Sequence, residues 1–193
     1  MKEGFGLVPE DRKQEGLFLQ SDIRFNTTIN VVDRFLKKLV WNRSKENQIV
    51  SEKMEGMHIK ATGASQMVSK LSGGNQQKVL IGRWLCSTKS ILILDEPTNG
   101  LDPSGIHEIR NLIKSLPDFY ECTVMISSHM LSEIELMADD IGILNHGRLL
   151  FEGSLDDLRR NARQAGMSTD NLEDVFLSIV EQDNAARKQR AKL

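Results

Sequence analysis

The chain has 193 residues and a mass of 21.8 kDa, room for one domain of ordinary size. Its apolar fraction of 39% and charged fraction of 27% exclude a disordered tail, a collagen-like chain and a disulfide scaffold. A formal charge of −2 and an aromatic content of 5% leave neither a bulk attraction for nucleic acid or anionic membrane nor a base-stacking platform, so nucleic acid is not expected as a partner.

In chain order, Phe5 to Val8 predicts a short strand that runs into the charged loop Glu10-Asp11-Arg12-Lys13. From about Asn26, the residues Ile29, Val32, Phe35, Leu36, Leu39 and Val40 share one helical face and predict an amphipathic helix. Lys45 to Lys70 is polar and reads as helix plus loops. Asn75 to Leu85 predicts a helix, and Ser90 to Leu94 a buried strand that ends in Asp95-Glu96-Pro97. Ile106, Ile109, Leu112, Ile113 and Leu116 give the next helix, Thr123 to Ile126 a second buried strand, and Met130 to Met137 a further helix. Ile141 to Leu144 and Arg148 to Phe151 flank Asn145-His146-Gly147, a hairpin turn. Two helical segments follow Gly153, the second with a stripe at Leu172, Val175, Phe176, Ile179 and Val180. A basic tail is expected to fray from Arg187, as a solvated end rather than an anionic-lipid contact. Strands alternating with helices argue for an α/β fold with a parallel sheet.

Cys86 and Cys122 form no C-x-x-C pair and read as two small buried hydrophobes in a reducing compartment. The longest apolar runs fall far short of the ~18 residues of a membrane span, and the charged N-terminus has no hydrophobic signal core. A soluble, cytoplasmic chain is expected.

Two segments carry chemistry. In Leu71-Ser72-Gly73-Gly74-Asn75-Gln76-Gln77-Lys78, two glycines and a serine precede a helix. A helix start offers unpaired N–H groups and partial positive charge, the glycines let an anion approach the backbone, and the Ser72 hydroxyl adds a donor. The same residues equally describe a plain helix cap. In Ile91 to Glu96, four aliphatics end in two acids, so Asp95 and Glu96 emerge at the C-terminal edge of a parallel strand, where open α/β sheets bind ligands. Neighbouring strand residues point to opposite faces, which gives the acids different tasks: one to hold Mg²⁺, the other to orient or deprotonate water. His129, just after the second strand, can bond a phosphate or water, although a lone histidine is more often structural. His58, His107 and His146 show no metal-ligand spacing.

Together these segments resemble the nucleotide-binding domain of ABC ATPases: Leu71 to Gln77 is similar to the signature, Ile91 to Glu96 to the Walker B strand, Asn99 to Asp102 to the D-loop, and His129 to the switch histidine. Gly6 to Lys13 looks like the Q-loop region of the second cassette of sugar-importer ATPases, with Glu10 at the usual Gln position, and Ser72 to Val79 also looks like that group. Asn99 to Pro103, Ser127 to Met130 and Leu172 to Leu177 are similar instead to ATPases of ABC-2-type exporters, so the sequence looks like a mosaic. No G-x-x-x-x-G-K-[ST] occurs in it, and the chain resembles an ABC domain without its front portion.

The resemblance implies a partial P-loop NTPase-like domain over residues 1–153, with a helical signature subdomain at about 20–88 and a C-terminal helical extension over 154–193. It implies ATP and Mg²⁺ as cofactors, a second ABC cassette and a transmembrane permease subunit as partners, and a position on the inner face of the cell membrane. Glu96 would polarise water, Asp95 hold Mg²⁺ and His129 steady the γ-phosphate. Ser72, Gly73, Gly74 and Gln76 would clamp ATP, Asp102 would link the two cassettes, and Glu10 would contact Mg²⁺ or water and couple to the membrane domain. The isolated chain is expected to bind nucleotide poorly, and the strand Thr123 to Ile126 to present an unpaired edge. The rival reading is a non-catalytic module that pairs in trans with a complete cassette. DNA-maintenance ABC proteins would need long heptad arms, which are absent.

Overall fold

The computed structural model describes residues 4–37, 39–87, 90–166 and 171–190. They fall into two compact units, Met1–His129 and Met130–Leu193.

The first unit runs β1 (Phe5–Val8), α1 (Ile23–Thr28), β2 (Leu36–Lys37), β3 (Val40–Trp41), α2 (Arg43–Gly56), α3 (Gly73–Cys86), β4 (Ile91–Asp95), α4 (Pro103–Tyr120) and β5 (Thr123–Ser127). β1, β4 and β5 form a parallel sheet in that order, with Val8 opposite Leu94 and Asp95 opposite Ser127. The parallel core expected from the alternating pattern is therefore present. α3 packs on β1 and α4 on β5. Val8, Leu92 and Leu94 are fully buried, as are Leu80, Ile109 and Leu116 of the two helices. Burying each such side chain contributes about 1.5–3 kcal/mol.

The strands at Ser90–Leu94 and Thr123–Ile126 were expected to be buried, but β4 buries only Leu92 and Leu94, and β5 buries none of its residues. Phe5, Leu7 and Met125 stay 49%, 50% and 57% exposed, so one sheet face is half bare. Among the described residues β5 pairs only with β4, which leaves it at the edge of the sheet as anticipated.

The amphipathic helix expected from Asn26 to Val40 does not form. α1 ends at Thr28, a tight turn over Ile29–Arg34 breaks at Val31 (φ −135°, ψ 27°), and β2 and β3 pair as a small hairpin. The run Thr27, Thr28, Ile29, Val31 and Val32 is β-branched and helix-poor, and the Thr28 hydroxyl donates to the Arg24 carbonyl at 2.9 Å. Leu39 and Val40, assigned to the apolar face, are 95% and 69% exposed. Trp41 packs edge-on against Phe35, and its indole N–H donates to buried Glu46 at 2.9 Å.

α3 is sunk into the unit, with 12 of its 14 residues buried, so each polar one needs an internal partner. Arg83 donates to the Asn26 carbonyl at 2.6 Å, to Asn26 Oδ1 at 2.7 Å and to the Gly16 carbonyl. Burial pushes its guanidinium down to about 10. Lys78 pairs with Glu108 of α4 at 2.6 Å.

The second unit contains α5 (Leu131–Met137), β6 (Asp140–Asn145), β7 (Arg148–Ser154), α6 (Leu155–Gln164) and α7 (Leu172–Arg190). β6 and β7 form the expected hairpin, closed by His146 and Gly147, both left-handed at φ +47° and +74° as a two-residue turn requires. Ile143, Leu158, Ala162, Leu172 and Val175 make one core shared by the hairpin, α6 and α7. The residues from 154 onward thus pack with β6 and β7. The fraying expected from Arg187 is not seen up to Arg190, because α7 continues to that residue; residues 191–193 lie outside the described ones. No described helix is long and apolar enough to cross a membrane.

Candidate functional site

Ser72 caps α3. Its Oγ accepts the Asn75 backbone N–H at 3.4 Å and the Asn75 side-chain amide at 2.9 Å, while the residue itself stays exposed. The two glycines beside it have packing duties. A Cβ on Gly73 would lie 3.0 Å from both Arg12 Nη2 and Leu101 Cδ2, and one on Gly74 would lie 3.4 Å from the Gly105 backbone. Gln76 is 5% exposed and donates to the carbonyls of Val68 at 3.1 Å and Leu71 at 3.3 Å. Its amide therefore fastens the preceding turn, and its side chain faces inward.

Asp95 closes β4, and the Ser127 hydroxyl donates to its Oδ1 across the ladder. Glu96 leaves the strand with a left-handed backbone at φ +43°, a conformation that costs a non-glycine residue about 1–2 kcal/mol. The break in backbone direction turns its carboxylate onto the end of β5. Oε1 accepts the His129 backbone N–H at 2.8 Å and meets His129 Nδ1 at 2.8 Å, and Oε2 accepts from the Ser128 hydroxyl at 3.3 Å. The His129 side chain is 72% exposed, that of Glu96 15%. A carboxylate at Nδ1 favours the proton there and leaves Nε2 as an acceptor. The adjacent acids do separate, Asp95 toward Ser127 and Glu96 toward His129.

The stretch Asn99–Asp102 links these features. Gly100 is left-handed at φ +64°, and Asp102 caps α4 by accepting the Gly105 N–H at 3.0 Å. Glu10 accepts the Asn99 side-chain amide at 2.8 Å. Arg12, 8% exposed, donates to the carbonyls of Asn99 at 2.7 Å and Gly100 at 3.1 Å. Desolvation lowers its guanidinium below the usual arginine value, against the pull of Asp11. It opens a single wide turn, Arg12–Gly16, capped by Asp11. A shallow cleft of about 240 Å³ lies between this turn and Asn99-Gly100. Sequence reasoning missed Arg12, because a run of four charged residues reads as a solvated loop and nothing local marks one of them as buried.

The structure thus joins Glu96 to His129, and Glu10 to the Asn99 turn. Among the described residues no three His, Cys, Asp or Glu side chains converge as a metal cage, and Glu10 and Asp95 engage different partners.

The family model described as ABC transporter matches residues 2–99, about half of the chain. The chain is 38% identical over 162 residues to the ribose import ATP-binding protein of a Chelativorans species, a match covering 82% of the chain and 32% of that protein. It is likewise 38% identical over 157 residues to the xylose import ATP-binding protein of Thermoanaerobacter pseudethanolicus, covering 81% of the chain and 31% of the relative. The chain spans about a third of the length of these relatives. Matches of that extent run past Asp95 to Thr98, so the likeness to sugar-import proteins is not confined to the front half. A solved ATP-binding subunit of an ABC transporter superimposes with a TM-score of 0.67 at 21% identity, over 92% of this chain and 69% of that one. A Clostridium perfringens protein described as part of an ABC transporter complex does so at 0.67 and 22%, over 84% and 64%. The shared motifs, the parallel sheet that presents them and the family match converge: the chain belongs to the ABC transporter family.

Proposed function

We propose that this chain serves an ABC transporter as part of its ATP-binding subunit, coupling Mg²⁺-ATP binding and hydrolysis to import of a small sugar. The observation that carries the reading is the contact of Glu96 with His129 at the C-terminal ends of adjacent parallel strands. Identity to the ribose and xylose import proteins supports the sugar class. The chemistry of these carboxylates suits magnesium. Mg²⁺ usually takes one or two carboxylates together with phosphate oxygens, and hard carboxylate oxygens are present at Asp95 and Glu10.

Bound Mg²⁺-ATP supplies the phosphorus centre and the charge neutralisation that phosphoryl transfer to water needs. The chain's own residues do the rest. Glu96 accepts a proton from water at its carboxylate, and His129 holds that carboxylate through Nδ1; with its ring doubly protonated it donates Nε2–H to a phosphate oxygen. Asp95 holds the metal. The exposed Ser72 hydroxyl and the first N–H groups of α3 donate to phosphate oxygens of a nucleotide carried by a second cassette. Glu10 relays the state of the site to a transmembrane permease, and Asp102 faces the second cassette. Gln76 acts through the turn it fastens. The signature-bearing subdomain spans about residues 20–88, the ATPase portion ends near 153, and residues 154–193 extend it. The chain works at the inner face of the cell membrane.

The second reading, a non-catalytic module pairing with a complete cassette, is favoured by one observation: no G-x-x-x-x-G-K-[ST] occurs within these residues. An ATP-turnover assay separates the two. The chain alone should be inactive, and adding an intact sugar-import cassette should give turnover above that of the cassette alone. Turnover by the chain alone would overturn its dependence on a partner, and binding to the cassette without added turnover would establish the second reading.

A further inference from the structure

Arg12 lies near the end of the Q-loop-like stretch Gly6 to Lys13 with no role of its own assigned, yet it sits where that stretch, the Asn99–Asp102 turn and the start of α3 meet. One planar guanidinium holds two consecutive carbonyls, Asn99 at 2.7 Å from Nη1 and Gly100 at 3.1 Å from Nη2. A lysine ammonium cannot reproduce that fork. The same Nη2 lies 3.0 Å from the place a Cβ on Gly73 would take, so the guanidinium also fills the space beside the first residue of α3. Two residues earlier, Glu10 takes the Asn99 side-chain amide. Within itself the stretch has two neutral backbone bonds, Asn99 N–H to the Glu96 carbonyl at 3.0 Å and Leu101 N–H to Thr98 at 3.3 Å, which lack the charge assistance of the guanidinium bonds. Its conformation therefore depends on the grip from outside.

We infer that Arg12 is a positioning residue: it fixes the backbone of Asn99–Gly100, so that Asp102 and the opening turn of α3 are presented in one geometry to a partner cassette. The mention of the cassette rests on the ATPase reading above, whereas the clamp rests on the chain's own geometry.

Amide hydrogen exchange on the full chain tests the clamp without nucleotide. In Arg12→Met, the amides of Asn99 and Leu101 should exchange at least about tenfold faster while those of β4 and the second half of α3 keep their rates, and Arg12→Lys should fall between. Unchanged rates at Asn99 and Leu101 would overturn the clamp. So would acceleration spread evenly through β4 and α3, because Arg12 would then support the fold at large. If the methionine variant does not fold, the lysine variant is read by the same two criteria. Mixed with an intact cassette, Arg12→Met should lower kcat by about tenfold or more and leave KM for ATP within about twofold; a raised KM at unchanged kcat would overturn positioning. If the wild-type chain gives no added turnover, the ATPase reading fails, and exchange alone decides the clamp.

Discussion

The opening of α3 and the end of β4 are both short polar turns, but they are held in opposite ways. Around α3 nearly everything is committed: Gly73 and Gly74 are packed against Arg12 and α4, Gln76 is bonded inward, and Arg83 and Lys78 are buried with partners. At β4, Asp95 and Glu96 are held by hydroxyls and one exposed histidine, with solvent close by. One region is rigid because its polar atoms belong to the core. The other can rearrange because its polar atoms hold mainly one another, which suits groups that must change partners during a reaction.

Substitutions should separate the two regions. The largest effect is expected at β4 and on rate alone: in a protein that restores a G-x-x-x-x-G-K-[ST] loop to this site, Glu96→Gln should keep nucleotide binding and lower turnover by ~10²–10⁴. Unchanged steady-state hydrolysis would remove Glu96 from its role. Next comes Arg83→Met, which takes the guanidinium from the buried Asn26 and Gly16 carbonyls and leaves Asn26 Oδ1 with only the Phe18 N–H, and should cost about 3 kcal/mol in urea unfolding. A loss well under about 1 kcal/mol would mean that α3 is less committed than its contacts imply.

The pair around Glu108 is smaller and pH-dependent. Hydrogen bonds from Lys60 and Lys78 hold its carboxyl down to about 2, below the ordinary 4.5. Its stabilisation is therefore complete above pH 4.5 and disappears as pH falls through 2. Glu108→Gln should cost about 1 kcal/mol at neutral pH, since Lys78 is buried but Lys60 is open to solvent, and the difference between the proteins should vanish in acid. A pH-independent difference would assign the loss to shape instead of charge. Smallest of all, His129→Ala should shift stability by less than about 0.5 kcal/mol, because its ring is largely in water. A larger loss would show that the β4 end also supports the fold.

What could be read from the sequence follows the same division. The strand Ile91–Asp95 and the helix after Ser72 were legible because long apolar runs and a cap-plus-glycine opening are local signals, and both stand within two residues of the expected limits. The hairpin at β2 and β3 was not, because Leu36, Leu39 and Val40 happen to satisfy a helical period that the β-branched residues before them cannot propagate. Arg12 was hidden for a different reason. Its burial is created by residues 87 and 88 positions away, and no window of sequence contains both ends. The contact of Glu96 with His129 lay between: each residue was named from its place after a strand, but the left-handed turn that brings them together could not be read from Leu-Asp-Glu-Pro.

Glu96 keeps a side chain where the backbone would rest more easily with glycine. Under the catalytic role proposed for this acid, position 96 is a place where a more heat-resistant variant and a more active one would part company.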